Sequence, residues 1–212
     1  RVRFESNHAY DDGGGMYTDS SAVTIIDCEF EGNTADGSGG AYLANLGTLS
    51  ISGTQFIDNH ALDVNADGDA GWGGALYLIS QSSSFLITGS TFDSNIGIRG
   101  GAVYTESTTG TFASCTFDDN DATEGFGGVF YSRISGTLAI NDSTLRRNHA
   151  ATSGGVIYAD DIALFIRRSV LVANSATSGG GALRCLATGS LDIERCGFFG
   201  NATAESGGAI NA

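Results

Sequence analysis

Two short phrases alternate along this whole sequence, and their spacing restricts the fold more than any other property. The first is an apolar residue three positions before an asparagine: Phe4/Asn7, Phe30/Asn33, Phe56/Asn59, Phe92/Asn95, Phe117/Asn120, Leu145/Asn148, Leu171/Asn174 and Phe198/Asn201. The second is a glycine pair that opens an apolar run, at Gly14-Gly15, Gly39-Gly40, Gly73-Gly74, Gly100-Gly101, Gly127-Gly128, Gly154-Gly155, Gly180-Gly181 and Gly207-Gly208. Successive asparagines are 26, 26, 36, 25, 28, 26 and 27 residues apart. A fixed period in this range marks stacked coils, each unable to bury its apolar face without its neighbours.

Aligning the repeats gives columns. Five positions before each Phe or Leu stand Ile25, Ile51, Ile87, Phe112, Ile140, Ile166 and Ile193, and seven before stand Val23, Leu49, Phe85, Gly110, Leu138, Leu164 and Leu191. Polar or small residues separate the two columns, which is the alternation of a strand with one buried face. Two before the Phe or Leu is a small column (Cys28, Thr54, Ser90, Cys115, Ser143, Ser169, Cys196), suited to a corner that still faces inward. Three past the first glycine of each pair come Tyr17, Tyr42, Leu76, Val103, Phe130, Ile157, Leu183 and Ile210, also assigned to the interior. Two to three short strands per turn, with like residues stacked, define an all-β fold: a right-handed parallel β-helix of about eight coils and about 26 residues per coil, because parallel crossovers are overwhelmingly right-handed. The asparagines Asn7, Asn33, Asn59, Asn95, Asn120, Asn148, Asn174 and Asn201 are expected to form an amide ladder at a corner, where asparagine tolerates left-handed backbone.

Thirty-two Gly and no Pro fit frequent turns between strands that need every backbone donor. The net charge of −14 excludes nucleic acid and anionic membrane surfaces as partners, both of which demand a basic footprint. No run of 18 apolar residues is present, so no direct membrane span is expected in this segment. The sequence is expected to be one β-helix domain over 1–212, a segment of a longer array that begins and ends inside a repeat. Its irregularity is the third repeat, where an inserted loop at 60–72 lengthens the coil.

The pairing of Phe-x-x-Asn with Gly73-Gly74-Ala75-Leu76, Gly100-Gly101-Ala102-Val103, Gly180-Gly181-Ala182-Leu183 and Gly207-Gly208-Ala209-Ile210 resembles the repeats of the polymorphic outer membrane proteins first described in chlamydiae. The resemblance covers the whole chain; Leu145 and Leu171 depart from Phe, and Met16, Val129 and Val156 from Ala. It implies a secreted or surface-displayed passenger domain that works in adhesion.

Several residues invite a functional reading beside a plainer one. Asp63, Asn65, Asp67 and Asp69 alternate with small residues and Gly68 at the sixth position, the first half of a calcium loop. The twelfth position is Gly74 rather than Glu, so this is either a calcium site completed from elsewhere or a solvated acidic loop, with Trp72 capping it against the solenoid. Tyr77, Tyr104, Tyr131 and Tyr158 form one outward column that either packs on itself or offers an exposed binding face to a sugar chain or partner subunit. Asp118 and Asp119 stand one repeat before Arg146 and Arg147; they make cross-turn ion pairs or, in the other reading, an Asp/Arg centre like that of polysaccharide lyases. His8, His60 and His149 lie too many turns apart to share a metal. Cys185 and Cys196 belong to one repeat and either bridge across its interior or remain buried thiols. Asn141, in Asn141-Asp142-Ser143, is the one accessible sequon in a host that glycosylates.

Together these features point to a non-catalytic, extracellular or cell-surface β-helix that acts as a structural or adhesive scaffold. It would be calcium-assisted, with other copies or subunits of a surface assembly, or cell-surface glycans, as partners. The alternative is a lyase-like carbohydrate-active enzyme or a sugar-binding module.

Overall fold

The structure, a computed structural model, describes residues 1–64, 70–80, 84–186 and 189–212, with the backbone alone of Leu46. Among these residues there are strands and turns but no helix. The chain winds as a parallel β-helix in which about seven full turns carry Phe4 to Phe198. The first sheet holds eight three-residue strands, from Arg3–Glu5 to Gly197–Phe199, and puts the Phe/Leu column inside. The second holds eight two-residue strands, from His8–Ala9 to Ala202–Thr203, directly after the asparagine corner. The third, of 13 strands, unites the post-glycine strands with the Ile-rich strands. These two are one unbroken strand in Met16–Ile26 and Tyr42–Ser52; from Leu76–Ile79 and Ser84–Thr88 onward they separate.

Register is strict. Phe56 pairs with Phe92 and Leu49 with Phe85 across the longest repeat, so the extra residues leave the stack undisturbed. His60–Ala61 still pairs with Thr34–Ala35, and Trp72 bridges to Arg99; the extra length lies between them. Inside, the rings of Phe4, Phe30, Phe56, Phe92 and Phe117 stack at 4.4–5.1 Å, close to the natural spacing of strands. Gly110 interrupts the aliphatic column because Phe85 needs the room: a Cβ there would collide with its ring.

The asparagine corner satisfies its own polar groups. Each ladder Nδ2 donates to the next Oδ1 at 2.8–3.0 Å, from Asn7→Asn33 to Asn174→Asn201. The second Nδ2 hydrogen reaches the Phe or Leu carbonyl of the preceding coil, as in Asn95→Phe56 and Asn120→Phe92, both 3.0 Å. The left-handed residue is not the asparagine but the one before it: Ser94 (φ 56°), Asp119 (φ 51°) and Arg147 (φ 56°). The asparagine's task is hydrogen bonding, and the turn is made one residue earlier.

A second ladder runs along the small column. The Thr54, Ser90, Ser143 and Ser169 hydroxyls each donate to the carbonyl two residues back and take the N–H of the preceding coil, as Ser143 N–H→Ser169 Oγ at 3.1 Å. The glycine pair is required twice over. Gly127 has φ +68°, and a Cβ on Gly128 would strike the carbonyl oxygens of Gly155 and His149 in the next coil. In the first coil this geometry belongs to Gly13-Gly14, not Gly14-Gly15: Gly13 has φ +69° and Met16 pairs with Tyr42. Met16 therefore faces inward and Tyr17 outward; the triple glycine permits two alignments, and the pairing of Met16 with Tyr42 shows which is adopted.

Candidate functional site

Three outer features carry chemistry beyond the stack. The first is the aromatic column over the third sheet. Tyr77, Tyr104, Tyr131 and Tyr158 are in register, yet they are not an exposed strip: Tyr104, Tyr131 and Tyr158 are 0%, 7% and 8% exposed. The residues before the glycine pairs fold over them. Trp72 stacks on Tyr104 at 4.9 Å and meets Tyr77 edge-on, while Phe126 lies 4.4 Å from the ring of Tyr158. The Arg99 guanidinium stands 5.8 Å from the centre of the Trp72 ring, a cation–π contact. Burial pushes the Tyr77 phenol up to about 12 and Tyr104 further; Tyr104 O–H donates to Glu106 Oε2 at 2.6 Å. Of the two readings of this column, packing on itself is the one the geometry shows, as a second hydrophobic layer roofed by Trp72 and Phe126, which come from turns that periodicity along the tyrosine column does not reveal.

The second feature is the inserted loop. Asp63 lies at its start, while Asn65, Asp67 and Asp69 fall outside the described residues.

The third is the charged patch on the outer face of the first sheet. Asp118 Oδ2 accepts from Arg146 Nε at 2.8 Å and Arg147 Nη2 at 2.7 Å, and Arg147 also pairs with Asp119 at 2.9 Å. Arg168 holds Asp142 through two bonds of 2.7 Å and keeps that carboxyl below its usual range. The hydrogen bonds it donates to Asp119 push the Arg147 guanidinium above its ordinary value, the direction opposite to that of a proton-abstracting base. Asp93, which sequence reasoning missed, joins this patch: it pairs in register with Asp118, and Asp93, Asp118 and Asp119 offer oxygens within 4.8 Å of one another. The repeated Thr91-Phe92-Asp93 and Thr116-Phe117-Asp118 was the available signal.

Cys185 and Cys196 are free thiols and do not form the bridge considered from sequence. The Cys196 thiol turns to the corner carbonyls of Ile166 and Glu194, both at 3.3 Å, and Cys185 is buried on the post-glycine wall with its thiol pushed up to about 11. Asn141 is half-buried on the outer wall between Ala113 and Arg167, and the Ser143 hydroxyl of its sequon is turned inward onto the Asn141 carbonyl at 2.7 Å.

Coils of this register, closed by an amide ladder and glycine pairs, define a parallel β-solenoid domain. The chain belongs to the right-handed β-helix family, whose model matches residues 1–198. Among curated proteins it is similar to a probable outer membrane protein, pmp6, of Chlamydia pneumoniae, at 32% identity over 69% of this chain and 13% of that protein. It is also similar to the probable autotransporter YfaL of Escherichia coli K12, at 25% over 82% of this chain and 13% of the relative. A third relative is a metabotropic glutamate receptor-like protein R of Dictyostelium discoideum, at 27% over 89% of this chain and 12% of that protein. The chain thus spans about an eighth of the length of these relatives. No solved structure matches it.

Proposed function

We propose that this domain is a non-catalytic scaffold at a cell surface, whose stacked coils hold outer turns and the 60–72 loop at fixed spacing for adhesion. The observation that carries this is how the charged groups are engaged. The two arginines nearest the acidic patch are bound to carboxylates, and Arg147 is held more firmly protonated by Asp119, which disfavours this pair as the base of an elimination reaction. The resemblance to a probable outer membrane protein and a probable autotransporter supports a surface location. A receptor for this scaffold would be a cell-surface glycan or another copy within a surface assembly, met by the exposed acidic turns rather than by the roofed tyrosines. Calcium bound by Asp63, Asn65, Asp67 and Asp69 would stiffen the inserted loop.

The test sets beads coated with the domain against cells and arrayed glycans, beside a cleavage assay on acidic polysaccharides with and without calcium. Retention on cells or glycans without unsaturated products is the expected result. Release of such products by the wild type, lost in Arg147→Gln, would replace the scaffold with an enzyme.

A further inference from the structure

Two of this chain's ten arginines have no carboxylate partner, and both lie on the flank where Phe126 covers Tyr158. Eight pair with acids, as Arg133 does with Glu106 and Arg195 with Glu194; Arg99 and Arg184 pair with none. The Arg99 guanidinium donates no hydrogen bond, and its stem lies against Gly125, where a Cβ would come within 2.7 Å of Arg99 Cγ. Arg184 follows Tyr158 in register, bonds only the neutral Asn211 amide and runs its stem past Gly179. Phe126 is partly exposed, with its ring centre 4.4 Å from that of Tyr158. The Tyr158 hydroxyl has no hydrogen-bond partner among the described residues and is not sealed from solvent. Burial raises this phenol, the charges of Tyr131 and Asp160 add to the rise, and the Arg184 and Arg99 charges both oppose it. Two guanidiniums thus act on one accessible hydroxyl, against a single carboxylate among the described residues. In a chain with 24 acids, two arginines left unanswered on one flank mark a spot from which the chain's own carboxylates are kept away.

We propose that Arg99, Arg184 and the Tyr158 hydroxyl bind the carboxylate of an acidic sugar, with Phe126 against the apolar face of its ring. The arginine fork matches the plane of a carboxylate, and the phenol O–H donates to the same group. Along the axis the two arginine backbones are three strand spacings apart, about 14 Å, which is room for one sugar unit over Phe126 and Tyr158. Net charge decides among anions. A chain at −14 repels polyanions such as nucleic acid, sulfated glycans and acidic peptides, whereas a single carboxylate on a neutral polyol meets the local positive charge. The partly exposed Phe126 ring offers an apolar surface to the C–H face of such a sugar. This rests on the glycan receptor of the function proposed above, and gives that receptor a cationic contact apart from the acidic turns. Because the sugar is tested free in solution, sugar binding and retention on cells can fail separately.

The experiment is ligand-observed nuclear magnetic resonance and calorimetric titration of the intact chain with methyl glucuronide. Methyl glucoside is the neutral control, and N-acetylneuraminic acid is a second source of the carboxylate. The acidic sugars are expected to bind at about 10⁻³ M, the tighter of the two identifying the source, and the glucoside about tenfold more weakly or not at all. Arg99→Gln and Arg184→Gln should each weaken binding about tenfold, whereas Arg195→Gln, which removes an arginine already paired with Glu194, leaves it unchanged. Asp160→Asn removes the opposing carboxylate and should tighten binding about threefold, a gain that misfolding cannot imitate. Circular dichroism confirms that each variant is folded. Equal affinity for glucoside and glucuronide, no binding of either acid at about 10⁻² M, affinity unchanged in both arginine variants, or an equal loss in Arg195→Gln would each overturn the assignment.

Discussion

Replacing Asn120 with alanine tests the corner that holds successive coils together. Asn120 is fully buried, and its side chain makes four bonds: Nδ2 to Phe92 O and to Asn148 Oδ1, both 3.0 Å, and Oδ1 from Asn95 N–H at 3.1 Å and Asn95 Nδ2 at 3.0 Å. Truncation leaves Asn148 Oδ1 one donor, the Asn120 backbone N–H at 3.0 Å. It strips an acceptor from two N–H groups of Asn95 and a donor from the Phe92 carbonyl, all out of reach of solvent. At about 1–2 kcal/mol for each of the three buried groups left short of a partner, the loss is about 3–6 kcal/mol, a large share of the roughly 5–15 kcal/mol that stabilises a typical domain. The damage sits at one interface between coils, and in an array stabilised by nearest neighbours it should uncouple the two flanks. Urea unfolding followed by far-ultraviolet circular dichroism is therefore expected to show an earlier midpoint and a broadened or split transition. Asn120→Asp keeps the shape but turns an oxygen toward Phe92 O and Asn148 Oδ1, and should be no better. A single unchanged transition with a loss under about 1 kcal/mol in Asn120→Ala would refute the ladder as a source of stability.

Other outcomes follow from the same geometry. Phe92→Ala empties a fully buried place between Phe56 and Phe117 and should cost about 3–5 kcal/mol in the same assay. Gly128→Ala, forced against the next coil's carbonyls, should cost about 2–3 kcal/mol, whereas alanine at Gly189, where the nearest atom lies 4.0 Å away, should be tolerated. Burial raises the Tyr77 phenol from its unfolded value of about 10 to about 12 and raises Tyr104 as well, so the stability they contribute is complete below pH 10 and falls as pH rises above it, the Tyr77 share being lost by about pH 12. Each tyrosine steepens that loss by at most about 1.4 kcal/mol per pH unit, and Tyr104→Phe should flatten it in alkaline unfolding curves. Trp72→Ala unroofs both rings, and the phenolate absorbance near 295 nm of Tyr77 should then appear closer to pH 10.

Anything that repeats with the coil was legible in the sequence, because parallel register places each residue over its equivalent about 26 positions on. That rule alone identifies the Phe stack, the Ile column, the asparagine ladder, the paired glycines and the Asp118–Arg147 neighbourhood. Contacts that run sideways, between turns and faces at unlike positions of the coil, have no such signal. Trp72 and Phe126 roof the tyrosines from another corner, and the choice between Gly13 and Gly14 is invisible in a run of three identical residues. Cys196 points to carbonyls rather than to Cys185, and Asp93 meets Asp119 only because the left-handed residue swings the chain back. The period was written in the order of the residues; the covered faces and the convergence of the three carboxylates were decided by turn geometry and side-chain direction, which appear only when the coils are closed in three dimensions.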